Sequence, residues 1–155
     1  MKIGRYAGQD GSERLGVVAD SSGGLRVLDL IAAMQAHGEP GGAIRTMDEF
    51  IDRGEAGLAA GYAAMEWAER QGEAAWWRNE PQTPWLVPVK VRNCIAGGRN
   101  FAAHREETLE YWTKQGAKLH SEIPMGFIKL ASSMVPARST VQRPQGVAWF
   151  DFEVE

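Results

Sequence analysis

The chain has 155 residues, 44% of them hydrophobic and 24% charged, with a formal net charge of −3. That length suits one ordinary domain, or a small domain with part of another, and roughly two-thirds of the chain's surface can be buried at this size. The balance excludes the electrostatic signature expected for nucleic acid or an anionic membrane as partner, and no apolar run approaches the ~20 residues of a membrane helix.

The first residues, MKIGRYAGQDGSERLG, lack the apolar stretch of a secretory signal. Residues 2–7 and 14–19 read as short strands separated by the turn signal GQDGSE, and SSGG at 21–24 marks a second turn. LRVLDL leads into a helix over 31–37, with Asp29 as its N-cap. After a GEPGG loop, residues 47–53 and 55–71 read as helices, the second with Leu58, Tyr62, Met65 and Ala68 or Glu69 near one stripe. WWRNEPQTPW breaks the periodicity with two prolines, which places a domain boundary near 78–88. Residues 87–95 read as a strand running into glycines, and strands are also expected at 126–130 and 147–155. The six tryptophans read mainly as packing residues. Cys94 is the single cysteine and has no internal partner, which fits a reducing cytoplasm.

Three stretches carry chemistry. In CIAGGRNFAAHREE, 94–107, a helix pattern starts near Asn100 and brings His104 and Glu107 onto one face. Such a pair is either an ordinary surface pair or an imidazole base oriented by a carboxylate. In IPMGFIKLASSMV, 123–135, Lys129 stands among apolar residues, so it either snorkels to water or faces a polar pocket. His120, between these stretches, reads as a surface residue. In the last stretch, WFDFEVE, alternation points Asp151, Glu153 and Glu155 one way, and Phe150, Phe152 and Val154 the other, toward a core. The carboxylates are either solvated on an open face or set against a hard divalent cation.

Together and in this order, the three stretches resemble the fumarylacetoacetate hydrolase family. Arg99, Asn100, Phe101, His104 and Glu107 match its G-[RL]-N-[YF]-x-x-H-x-x-E motif. Phe127, Lys129, Ser132 and Ser133 match its F-x-K-x-x-[ST]-[ST] run, and DFEVE matches its D-[YF]-E-x-E strand. The resemblance implies an α+β protein, with a small N-terminal α/β domain over 1–85 and the first part of a mixed β-roll catalytic domain over 86–155. It implies that His104 and Glu107 activate a water, that Lys129 holds substrate charge or an oxyanion, and that Glu153 and Glu155 bind a divalent metal. The metal would be Mg2+, or Mn2+ or Ca2+. The implied reaction is hydrolytic carbon–carbon cleavage of a 2,4-dioxo acid, or isomerisation or decarboxylation of a 2-hydroxy-dienedioate in aromatic compound catabolism. The complete enzyme would be a cytoplasmic homodimer, and residues 108–122 resemble the segment that closes over substrate as a lid.

One departure stands against the family pattern. Its metal site takes a third carboxylate from beyond the E-x-E strand, and this sequence stops at Glu155. The expectation is therefore an N-terminal part of a longer enzyme, inactive by itself. The competing expectation is a non-catalytic module that associates through exposed strands.

Overall fold

A computed structural model describes residues 1–38, 44–72, 75–98, 100–116 and 124–150 of the chain, and shows a mixed α+β protein. It divides into two compact units: Met1–Lys90 with Val135–Ser139, and Val91–Met134 with Thr140–Glu155.

The first unit is an antiparallel sheet in the order β1-β2-β3-β4, formed by Lys2–Ala7, Glu13–Ser21, Gly24–Asp29 and Trp77–Asn79. Local chemistry sets its turns. Between β1 and β2 the Asp10 carboxylate accepts from the Ser12 backbone N–H at 3.0 Å and the Ser12 hydroxyl at 2.6 Å, and Gly11 takes a positive φ of 77°. Ser21 pairs with Gly24 across a two-residue hairpin loop.

Helices accompany this sheet. Asp29 caps α1 (Leu30–His37), its Oδ1 accepting the Ala32 N–H at 3.0 Å, and Gly38 closes the other end in the left-handed region. Thr46 caps α2 (Met47–Asp52) by accepting the Glu49 N–H, while the Glu49 carboxylate reaches back to the Arg45 N–H at 2.7 Å. Then α3 spans Gly54–Gln71. The core joins Leu15, Val17 and Leu28 of the sheet to Leu30, Ile31 and Met34 of α1, Phe50 of α2, and Ala64 and Ala68 of α3.

The inward stripe of α3 differs from the expectation in its first half, while Ala68 is buried and Met65 packs against the core as expected. Leu58 and Tyr62 are each 43% exposed, whereas Gly57, Gly61, Ala64 and Ala68 are buried. The small residues face the core because the space there is already taken. A Cβ on Gly61 would lie 2.8 Å from the Met1 Cε and 3.4 Å from the Phe50 ring.

The other face of the sheet carries a polar cluster and an aromatic cover. Residues 77–85, where periodicity breaks in the sequence, form β4, a 3-10 turn over Glu80–Gln82 and a bridge from Trp85 to Tyr6. The Trp85 ring lies against Gly4 and Gly16: a Cβ on Gly4 would lie 2.9 Å from the ring, and one on Gly16 would lie 3.3 Å from it and 2.6 Å from Val27 Cγ1. Its Nε1 donates to Glu80, and both oxygens of that carboxylate also accept from the Arg138 guanidinium. Within the same unit, Asp29 accepts from the Tyr6 hydroxyl at 2.7 Å and from Arg14 at 2.8 and 3.0 Å. Burial, then the bond to Asp29, push the Tyr6 hydroxyl up to about 12. Asp29 likewise raises Arg14, and the Arg5 guanidinium holds the Glu13 carboxyl below its ordinary range.

The second unit contains a two-stranded antiparallel sheet, β5 (Cys94–Gly97) with β6 (Gly126–Lys129), and the helix α4 (Ala102–Lys114). Two strand expectations change. Residues 87–93 form no strand: Pro88 lacks an N–H, and the Val87 carbonyl is taken by the Arg5 side chain at 2.9 Å. Residues 147–150 form none either; Val147 N–H instead closes a turn onto Pro144, and Phe150, expected to face a core, is 54% exposed. Phe152 and Val154 of the same expectation lie outside the described residues.

Candidate functional site

The site elements run from β5 through a short loop into α4, and on to β6. Gly97–Gly98 ends the strand, and the Ala102–Lys114 run is rich in helix formers. The helix turns His104 and Glu107 to one face, with Nδ1 of the imidazole 3.7 Å from Oε2 of the carboxylate. Their side chains are 38% and 79% exposed. At that distance the pair is an orienting contact, stronger when the imidazole is protonated. Thr108 donates its hydroxyl to the His104 carbonyl at 2.9 Å, within the same helix.

Lys129 ends β6 and lies opposite Cys94, whereas Gly97, which leads toward the His104 loop, lies opposite Gly126. The register thus separates Lys129 from that loop by three residues, about 10 Å along the strand. Its ammonium sits 5.5 Å over the Phe127 ring on the same face. Ser133 of the matching run uses its hydroxyl locally, donating to the Leu130 carbonyl at 2.7 Å.

So the structure brings His104 and Glu107 together and places Lys129 on the adjoining hairpin. Arg99, His120, Asp151, Glu153 and Glu155 lie outside the described residues. Among the described residues, no group of three His, Cys, Asp or Glu side chains could hold a metal ion, and no helix is long and apolar enough to cross a membrane.

Asn100 gains a role that its place in the motif does not supply. Its side-chain Nδ2 donates to the Met125 carbonyl at 2.9 Å, and its Oδ1 accepts the Met125 N–H at 2.8 Å. An asparagine two positions after a glycine pair and just before a helix is the available signal, since its amide readily copies backbone bonds. The partner, 25 residues away, leaves no local trace.

What these features define first is a class: a mixed α+β protein carrying a histidine–carboxylate pair at the start of a helix, next to a lysine-bearing hairpin. The family likeness follows from sequence comparison. Residues 93–155 match the family model described as fumarylacetoacetate (FAA) hydrolase C-terminal. That segment, which lies in the C-terminal part of this chain, is thus similar to the fumarylacetoacetate hydrolase family. No curated protein matches the chain.

Proposed function

We propose that the protein is a metal-dependent hydrolase that cleaves a carbon–carbon bond in a 2,4-dioxo acid of the fumarylacetoacetate or acylpyruvate kind. The observation that carries this reading is the His104–Glu107 pair, 3.7 Å apart inside the segment that matches the family. His104 would take a proton from water as that water attacks a ketone, and Glu107 would hold the imidazole in orientation. Lys129 would bind substrate negative charge or the oxyanion that develops. Glu153 and Glu155 would hold magnesium, or manganese or calcium, because carboxylate oxygens are the donors such hard cations take. When bound, the ion would supply Lewis-acid polarisation at the 2-oxo acid end of the substrate.

The same reading includes a mixed β-roll around residues 86–155, a homodimer, a cytoplasmic setting and a place in aromatic compound catabolism. Its partners are a small dioxo acid or dienedioate, with neither nucleic acid nor membrane.

The test is product analysis on the natural gene product that carries this sequence. It would be given a panel of 2,4-dioxo acids and 2-hydroxy-dienedioates with magnesium or manganese. Cleavage products support the hydrolase. Isomerised or decarboxylated products would move the assignment to the dienedioate reaction, and a complete lack of turnover would favour a non-catalytic module. Metal titration against the wild type and a Glu153→Gln/Glu155→Gln pair tests the ligands, since equal affinity in both would remove these residues from the site.

A further inference from the structure

We infer that Asn100 is a positioning residue that sets where His104 stands, by using its side-chain amide as one more rung of the β5–β6 ladder. The inference deepens the proposed hydrolase and rests on it only for the consequence in turnover.

The backbone ladder ends at the Gly97–Gly126 pair. Beyond it, Gly98 N–H donates to the Met125 carbonyl at 2.8 Å. Asn100 then meets the same residue through both ends of its amide, donating to the carbonyl and accepting the N–H. The Met125 carbonyl thus uses both its lone pairs, and its N–H is satisfied as well. Only one orientation of the Asn100 amide makes both bonds, so the network itself assigns oxygen and nitrogen. The glycines pack in ordinary contact with this clamp: a Cβ on Gly98 would lie 3.4 Å from the Met125 Cβ and carbonyl oxygen, and one on Gly97 would lie 3.6 Å from the Asn100 Nδ2.

The helix after Asn100 has no side-chain anchor of its own at its start. Phe101 is the N-cap of α4 and makes no side-chain capping bond, and the first turn holds no acidic residue. None of the described residues of α4 is fully buried; His104, Thr108 and Trp112 are half-buried. His104 is the third residue of that helix. On the other side of the clamp, Met125 directly precedes β6, which carries Phe127 and Lys129. One asparagine therefore ties the start of the His104 helix to the strand that bears Lys129.

The substitutions separate the two arms. Asn100→Ala removes both bonds. Asn100→Asp keeps the acceptor for the Met125 N–H and turns the donor into an oxygen facing the Met125 carbonyl. Hydrogen exchange and backbone NMR shifts on the chain give the first readout. The Met125 amide should be protected in the wild type and exchange at least about tenfold faster in Asn100→Ala. The helical shifts of Ala102–His104 should weaken in Asn100→Ala, and Asn100→Asp should retain Met125 protection with a partial loss of those shifts. An unprotected Met125 amide in the wild type, or unchanged Ala102–His104 shifts in Asn100→Ala, overturns the inference. With the natural gene product and a substrate that it turns over, kcat should fall about tenfold in Asn100→Ala with KM and melting temperature little changed. An unchanged kcat there would reduce Asn100 to a structural role and overturn its positioning role. Inactivity on every substrate would sink the proposed reaction and leave the clamp to be judged by exchange and shifts alone.

Discussion

In the first unit, Tyr6, Leu15, Val17, Leu28 and Leu30 are fully buried between or beneath packed elements. In the second, Ala96 is the one buried residue among those described, and the cross-strand partners Ile95 and Ile128 stand 77% and 78% exposed. The face that Ala96 shares with Phe127 and Lys129 is the more covered side of that hairpin; the isoleucine face is open. The first unit is thus held by apolar burial plus a buried polar cluster around Asp29. The second is held by strand pairing, helix bonds and the Asn100 clamp. The residues proposed to carry chemistry lie in the second, where side chains reach solvent. On that proposal, stability and chemistry rest on different parts of this chain, and each can be attacked separately.

The largest effect expected is on turnover. His104→Ala should lower it by about 10²–10⁴-fold in the active gene product while leaving melting unchanged. Unaltered kinetics in this variant would end the base assignment. The converse substitution is Leu28→Ala, which empties a fully buried position of the first unit and should cost about 2–5 kcal/mol in urea or thermal unfolding. A loss below about 1 kcal/mol would mean that the first core is not packed as described.

Tyr6 gives a smaller effect with a pH signature. A tyrosine in the unfolded chain ionises near its ordinary 10, whereas Tyr6 holds its proton until about 12. Between these values the folded chain carries the extra proton, so stability should fall as pH rises from 10 to 12. Tyr6→Phe should remove that slope and cost about 1–3 kcal/mol at neutral pH, because Asp29 loses a buried donor. An identical alkaline slope in both proteins would assign it to other groups. The smallest effect sharpens the contrast from the other side. Ile128→Ala should move stability by no more than about 0.5 kcal/mol, as expected of an exposed position. A loss above about 2 kcal/mol would show a packed isoleucine face.

The amino-acid sequence is most informative where the cause is local. Gly11 and Asp10 in the first turn, Asp29 as a cap and the i, i+3 placement of His104 and Glu107 each follow from residues within four positions of one another. The motif matches likewise lie within short stretches, which is why the family resemblance is legible without any geometry. At Leu58 and Tyr62, which hydrophobicity takes as inward residues, the buried stripe of α3 lies one position away, whereas Ala68 falls on both stripes. What turns Gly57 and Gly61 inward is the room left by Phe50 and Met1, which no periodicity reports. The strands expected at 87–95 and 147–155 fail in much of their described length for a related reason: alternation describes a possible strand, but pairing needs a neighbour with free backbone groups.

By itself, then, the amino-acid sequence determined the turns, the caps, the helix that aligns His104 with Glu107, and the family signature, because each depends on contacts between near neighbours. Only the tertiary structure decided which face of α3 is buried and that Trp85 covers the second face of the sheet. It alone decided that Lys129 stands three rungs from the His104 loop, and that Asn100 finds Met125. These depend on groups brought together from distant positions, and strand register and the space between packed elements settle them.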